Sequence, residues 1–442
     1  MKYLRLLILF WLGSLLLSRL PALADDAVPA DPPLRWYKGN IHTHSLWSDG
    51  DDFPEMIAEW YRTHDYNFLA LSDHNVLSEG QRWMKHRDIV RRGGKDALAK
   101  YQARFGGGWV ETRGEADSPN YEIRLKPLNE FRALVEERGK FIMIQGEEIS
   151  DRAEGKPVHM NATNIKEVIK PLGGRTVRAE HSRAGLALDG VGGEPRAGGD
   201  VLDLHLLVRL DVRRLHQVAV EEQAERSGRE ILLHLNHPNF GYAVTAEDLA
   251  AVVKERFFEV YNGHPGIKHE GDHHHPPVER LWDIANTIRL GELDSPPLYG
   301  VATDDSHEYH GQPGSHMGRG WIQVRTRYLT PEHLIRAIKA GEFYASSGVA
   351  LNSVTFDEET QKLSIEIEAE DDAEYITDFI GTPVEYDKTS EPRRDEDGKE
   401  LKVTRKYAPE VGKVLATVRG ASPSYQLTGK ELYVRAVITS SH

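Results

Sequence analysis

Histidines and carboxylates recur through this chain directly after short apolar runs. Gly39-Asn40-Ile41-His42-Thr43-His44 is followed by Ser48-Asp49-Gly50. Ser72-Asp73-His74-Asn75, Gly146-Glu147-Glu148-Ile149-Ser150 and His159 come next, then His234-Leu235-Asn236-His237-Pro238-Asn239. Glu259-Val260-Tyr261-Asn262-Gly263-His264 and Thr303-Asp304-Asp305-Ser306-His307 complete the series. Side chains two apart in an extended segment share one side. His42 and His44 could therefore grip one cation together, as could Asp305 and His307. Imidazole and carboxylate suit Zn, Mn or Fe, whereas an oxygen-only set would suit Mg or Ca. More than one ion needs a bridging anion, which a carboxylate such as Glu148 could supply. A lone His-x-His says little, but a full set placed at strand ends is hard to ascribe to chance. His273-His274-His275 falls between Gly/Asp and two prolines and reads as a solvated loop.

The elements that must position these residues follow from periodicity. Between Trp36 and about Gly348, short apolar runs alternate with amphipathic stretches, as in βα units. Asn67–Ser72, Phe141–Gln145, Ile231–Leu235, Phe257–Tyr261 and Leu298–Thr303 read as strands. Ile57, Trp60, Tyr61 and His64 stand at helical spacing behind Pro54, a good first-turn residue. A βα barrel places its active site at the C-terminal ends of its strands, where these motifs fall. Two stretches break the pattern and read as insertions, about 86–120 and 171–216, the second Gly- and Arg-rich. From residue 351 to residue 442 the period becomes two, in Lys362–Glu370, Lys413–Val418 and Leu432–Ile438, so this part reads as a small all-β, sandwich-like domain. Packing against the barrel or mediating contacts is its expected role.

Composition narrows the function classes. The chain has 442 residues, no cysteine, 21 histidines and a formal net charge of −14. Disulfides, zinc knuckles, Fe–S clusters and thiol nucleophiles are excluded. The acidic balance disfavours long nucleic acid and anionic lipid as partners. Residues 1–24 have a basic start (Lys2, Arg5), an apolar stretch from Leu6 to Leu17 and Ala22-Leu23-Ala24, which together read as a cleaved signal peptide. The apolar stretch is shorter than the ~20 residues a spanning helix needs. Residues 25–35 read as a linker, and export to the periplasm or the outside is expected, with no stable membrane span after cleavage.

Taken in order, His42-Thr43-His44, Asp49, Ser72-Asp73-His74-Asn75, Glu147-Glu148, His159, Asn236-His237-Pro238 and Asp304-Asp305-Ser306-His307 resemble the successive motifs of the PHP (polymerase and histidinol phosphatase) superfamily. The resemblance runs from Gly39 to about Gly348. It implies a distorted (β/α)7 TIM-like barrel over residues 36–350, a trinuclear metal centre and phosphoesterase activity. On that resemblance His42, His44, Glu148 and Asp305 would hold one ion. A second would share Glu148 with His159 and His237, and a third would take Asp49, His74 and His307. Glu148 and Asp305 are chosen over their neighbours Glu147 and Asp304 by motif register.

The expected enzyme hydrolyses a small phosphate ester or nucleotide with a metal-activated hydroxide at a centre of two or three ions of Zn, Mn or Fe. Asp73 and Asp304 would orient ligand imidazoles or else cap strand ends. His234 and His264 are candidate acid/base groups, and Arg319 a candidate phosphate clamp. The alternatives are an amidohydrolase-like enzyme cleaving a C–N or C–O bond and a non-catalytic metal-binding surface module. Arg or Lys near the metals would mark a phosphorus-directed site; an apolar pocket with an oxyanion donor would mark a carbonyl-directed one. The oligomeric state is left open.

Overall fold

The structure is a computed structural model describing residues 32–116, 118–172 and 204–442, with the backbone alone for 204–209. The expected signal peptide, most of the linker and most of the second insertion lie outside the described residues. Residues 34–442 form one compact unit. None of the described helices is long and apolar enough to cross a membrane.

Seven strands form a nearly closed barrel: β1 (Arg35–Asn40), β2 (Phe68–Leu71), β3 (Ile142–Ala153), β4 (Lys156–Thr163), β5 (Leu232–Leu235), β6 (Phe257–Asn262) and β7 (Tyr299–Thr303). The expected strands are all present. The sheet order runs β7-β6-β5-β4-β3-β2-β1 and continues into β8 (Trp321–Thr326), antiparallel to β1, and β9 (Phe343–Ser346), antiparallel to β8. Beyond its pairing with β8, β1 meets the end of β7: Thr43 bridges Ser306, the His44 N–H donates to the Ser306 carbonyl and the Asp305 N–H to the His42 carbonyl. Closure thus occurs at the end of the barrel that carries the histidines.

A uniform βα repeat is not what is found. β4 runs antiparallel to both neighbours, joined to β3 by a tight turn in which Glu154 and Gly155 adopt positive φ. The tapering interior is filled by Tyr37, Ile41, Phe68, Ile144, Leu232, Phe257, Val301, Ile322 and Val324. At Gly39 a Cβ would lie 2.2 Å from the Phe68 ring, so only glycine lets β1 pass that ring.

Eight helices are described. They are α1 (Pro54–Thr63), α2 (His86–Gly93), α3 (Ala97–Phe105), α4 (Leu128–Val135), α5 (Leu204–Ser227), α6 (Ala246–Ala251), α7 (Val278–Gly291) and α8 (Pro331–Lys339). α8 packs Leu334, Ile335 and Ile338 into the barrel core. The insertion near 86–120 is an ordered lobe: α2 and α3 pack on a three-stranded sheet of Arg82–Lys85, Glu122–Leu125 and Thr112–Arg113. Within the second stretch, residues 204–216 belong to α5. Its Arg213 is fully buried, paired with Glu255 and donating to the Asp248 carbonyl. A buried basic residue on an apolar face hides helical periodicity.

Glu55 joins α1 to the first lobe, accepting from the Tyr101 hydroxyl at 2.6 Å and Trp109 Nε1 at 3.1 Å, while its Oε2 is enclosed without a partner. Burial pushes its carboxyl up to about 7, against a usual 4.5. Between those values the folded chain holds a proton that the unfolded chain releases, so this group's contribution to stability falls as pH rises. Glu55→Gln is expected to gain up to about 3 kcal/mol relative to the wild type at pH 8 and nothing at pH 4. Urea midpoints at both pH values check this; parallel pH profiles would contradict it.

Residues 351–442 form two three-stranded sheets, β10-β11-β14 (Leu351–Asp357, Lys362–Ile367, Ser424–Gln426) and β13-β12-β15 (Lys413–Arg419, Tyr375–Pro383, Glu431–Ser440). Leu351, Ile365, Ile367, Tyr375 and Phe379 form the core between them. The second sheet docks on α7: Arg435 Nε and Nη2 each lie 2.8 Å from the Asp283 carboxylate, and the Tyr433 hydroxyl donates to it as well. Asp283→Ala would leave a nearly buried guanidinium with only the half-exposed Glu279 as a partner, a loss of about 2–4 kcal/mol. Thermal unfolding of this variant against Arg435→Met measures it; equal losses in both would point to packing rather than the ion pair.

Candidate metal centre

The barrel end that closes first gathers the ligand-type residues. His42 and His44 follow β1, His74 follows β2, Glu148 lies within β3, His237 follows β5, and Asp305 and His307 follow β7. His159 arrives differently. Because β4 is antiparallel, this residue near the strand's start, not its C-terminal end, reaches the cluster, paired in register with Ser150. Four groups of donor atoms lie close enough to share an ion: His44/Asp49/His74/His307, His42/His44/Asp305, Glu148/His159/His237 and His42/His234/Glu259.

The buried Glu148 carboxylate is the common neighbour. Oε1 lies 2.9 Å from His159 Nδ1, 3.5 Å from His237 Nε2 and 3.6 Å from His42 Nε2. Oε2 lies 2.6 Å from His74 Nδ1 and 3.5 Å from His44 Nε2. Despite these short distances Oε2 has no hydrogen-bond partner, because the imidazoles lack the alignment a hydrogen bond requires. Asp305 Oδ1 is 3.2 Å from Nε2 of both His42 and His44, which are 3.1 Å from each other. On the outer side Asp49 lies 3.3 Å from His74 Nε2 and 3.4 Å from His307 Nε2.

Such an arrangement is unfavourable without a cation: ring nitrogens face one another, and a buried carboxylate oxygen lacks a donor. The residues present therefore fit divalent ions, and the all-nitrogen-and-oxygen donor set suits Zn, Mn or Fe. The same field acts on protons. Burial opposes charge on His74, yet Glu148 and Asp49 push it up to about 11; Asp49 and Asp305 likewise raise His307 to about 9. His44, buried beside His307, is lowered to about 3. Burial would raise the Glu148 and Asp49 carboxyls, but the surrounding imidazoles hold both below the ordinary range. His237 and Asp305 adopt left-handed φ values of 23° and 49°, strain of about 1–3 kcal/mol each that concentrates at functional sites.

Support comes from residues to which sequence reasoning assigned no role. Glu259, fully buried, accepts from His42 Nδ1 at 2.6 Å, from Thr303 Oγ1 at 2.7 Å and from the His237 N–H at 2.8 Å. In a neutral His42 that keeps the proton on Nδ1 and leaves the Nε2 lone pair toward the cluster. Asn236 donates to Glu148 Oε1 at 2.8 Å, and Asn262 to Asp305 Oδ2 at 3.1 Å. Glu259 had one signal, a lone acid in the apolar strand FFEVYN, since a buried carboxylate must be paired.

Several expected roles are corrected. Asp73 touches no ligand imidazole; it accepts from Ser45 and from Ser48 Oγ, ordering the loop that carries Asp49. Gly50 lets that loop fold back, since a Cβ there would lie 2.6 Å from the His44 carbonyl oxygen. Asp304 caps the following turn, accepting from the Gly318, Arg319 and Gly320 N–H groups and from Tyr61. Glu147 faces away through the strand's pleat, bonded to the Ile169 N–H, its carboxyl raised by burial to about 8. His234 is fully buried, its Nε2 3.5 Å from Glu259, and does not line the cavity, so it cannot reach a substrate. The Arg319 side chain is exposed and does not line the cavity. His273–His275 lie outside the cluster, with His275 stacked on Tyr242.

Above the cluster opens a cavity of about 160 Å³, lined by ligand residues together with Phe240, His264 and Ile267. The Gly266 N–H donates to His264 Nδ1 at 3.0 Å, which leaves the ring proton of neutral His264 on Nε2.

Fold and site thus define a nearly closed α/β barrel whose ligand-bearing end could hold several divalent cations. No family model and no curated protein matches the chain. It is similar to a solved two-domain protein from Bacteroides vulgatus containing a predicted PHP-like metal-dependent phosphoesterase, at 13% identity over 89% of this chain and 96% of that one, with a TM-score of 0.36. A structure assigned as a metal-dependent phosphoesterase from Bifidobacterium adolescentis is 17% identical over 65% and 92% of the two chains, TM-score 0.29. An amidohydrolase from Chromobacterium violaceum, solved with sulfate and no metal, is 14% identical over 69% and 97%, TM-score 0.29. PHP-like and metal-dependent phosphoesterases are therefore among the solved structures this chain is similar to.

Proposed function

We propose that the protein is an exported, PHP-type metal-dependent phosphoesterase acting on a small phosphate ester or nucleotide. On this reading residues 36–350 are a distorted (β/α)7 barrel and residues 351–442 a separate all-β domain. The observation that carries it is Glu148, one buried carboxylate shared among five imidazoles, with Asp305 and Asp49 completing the surroundings. His42, His44, Glu148 and Asp305 would hold one ion, Glu148, His159 and His237 a second, and Asp49, His74 and His307 a third. Divalent cations bound here would supply an activated water and neutralise phosphoryl charge. His264 lines the cavity and carries its proton on Nε2, which suits it to donate a hydrogen bond to a leaving oxygen. Burial lowers its pKa, favouring the neutral form, which hydrogen-bonds through Nε2–H and does not act as a proton donor. Glu259, Asn236 and Asn262 keep the ligands oriented.

The test is metal content by elemental mass spectrometry on the purified chain, beside a panel of phosphomonoesters, phosphodiesters and nucleotides. About two to three Zn, Mn or Fe per chain are expected, with turnover lost in His42→Ala and Asp305→Ala. Less than one ion per chain after reloading would sink the reading. A second reading has one observation in its favour: among the described residues no Lys or Arg lines the cavity, while Phe240 and Ile267 do. It is a carbonyl-directed hydrolase, and release of acetate from aryl acetates, with no phosphate ester cleaved, would establish it instead.

A further inference from the structure

Resting on the phosphoesterase reading, we infer that the substrate carries a single phosphoryl group on an uncharged, apolar alcohol, which packs against a wall formed by Phe240 and Ile267. Three observations converge. The first is the chemistry of the lining: apart from ligand residues, the described cavity offers only Phe240, Ile267 and His264. A second phosphate would find no guanidinium or ammonium among the described lining residues. Additional charge on the substrate therefore gains no basic side chain as a partner, while an apolar body finds matching surface.

The wall is also built in advance. Phe240 opens a short 3-10 turn, its N–H donating to the His237 carbonyl at 2.8 Å, and its ring stands edge to face with His237 at 5.2 Å. Asn239 beside it donates through Nδ2 to the carbonyls of Lys268 and Pro276, tying this turn to the loop that carries Ile267. The Ile267 N–H in turn donates to the His264 carbonyl at 3.1 Å. The two apolar side chains are thus fixed relative to His237 and need little ordering when a ligand arrives.

The third observation is direction. His264, the one described lining residue outside the ligand set that can hydrogen-bond a departing oxygen, neighbours both: its ring is 6.2 Å from that of Phe240, and its carbonyl accepts from the Ile267 N–H at 3.1 Å. An alcohol leaving beside His264 has its carbon body against Phe240 and Ile267. Phe240 and Ile267 are then specificity residues, acting on the alcohol and not on the phosphoryl group.

Benzyl phosphate and glycerol 1-phosphate test this, because their alcohols have similar acidity and differ chiefly in apolar surface. With the metal-loaded full chain, kcat/KM is expected to favour benzyl phosphate by at least about tenfold. Phe240→Ala and Ile267→Ala should each shrink that ratio mainly through KM, with metal content unchanged; Phe240→Leu should retain most of it. An equal kcat/KM for the two esters, or a ratio indifferent to both alanine variants, overturns the inference. Calorimetry with benzylphosphonate and methylphosphonate separates it from the reading beneath it. Preferential benzylphosphonate binding that Phe240→Ala abolishes, without turnover of any ester, would uphold the wall and discard the phosphoesterase. Turnover of esters with no such preference would do the reverse.

Discussion

Glu148→Gln is expected to remove more than one metal ion per chain and to lower turnover at least about 10³-fold. The amide is nearly isosteric and can still accept from Asn236, so the barrel should fold. What it loses is the negative charge that all five neighbouring imidazoles face, and with it the anion that joins neighbouring ions. The loss has a second face. In the metal-free chain His74 and His42 are held in their charged forms by carboxylates that include Glu148; without its charge these buried cations are less well paired, and metal-free stability should fall by about 2–4 kcal/mol. Elemental analysis after dialysis, kcat on whichever ester the chain accepts, and denaturant midpoints with and without chelator check the three statements. A variant that keeps full metal occupancy would show that Glu148 is not the shared ligand.

Glu259→Gln should weaken metal binding by about 10- to 100-fold while leaving the fold intact. Glutamine's NH2 would face the His237 N–H and Asn262 donors, but its one oxygen can still accept from His42 Nδ1, so the His42 ring orientation survives. The full negative charge behind His42 does not, and the imidazole becomes a poorer donor to a cation. Glu259→Ala should do worse, because Thr303, Asn262 and the His237 N–H would each lose an acceptor in a fully buried place. Competition titration with a chromogenic chelator gives the affinity directly. An unchanged affinity in Glu259→Gln would reduce Glu259 to a packing residue. A loss in Glu259→Ala alone would show that acceptor geometry matters and charge does not.

Local rules carried much of this protein. Period-two and helical spacing place β2, β3, β5, β6, β7 and α1, and the same period puts His42 with His44 and Asp305 with His307, because a strand's side chains alternate by geometry alone. The alternation in Lys362–Glu370 and Leu432–Ile438 is legible for the same reason. Other features depend on which segments meet. The choice between Glu147 and Glu148 follows from the pleat of β3 against β4; that between Asp304 and Asp305 follows from the turn at Gly318–Gly320, which needs a carboxylate to cap it. His159 reaches the cluster only because β4 reverses direction, a matter of pairing that no single segment reveals. Asp73 serves the loop at Ser45 and Ser48 instead of an imidazole, and Glu259, one acid in an apolar strand, finds His42 more than two hundred residues away in the chain. Composition and spacing determined which atoms could bind an ion. Only the tertiary structure decided which of them face one another, since the energy of a buried charge is set by its neighbours in space and not by its neighbours in sequence.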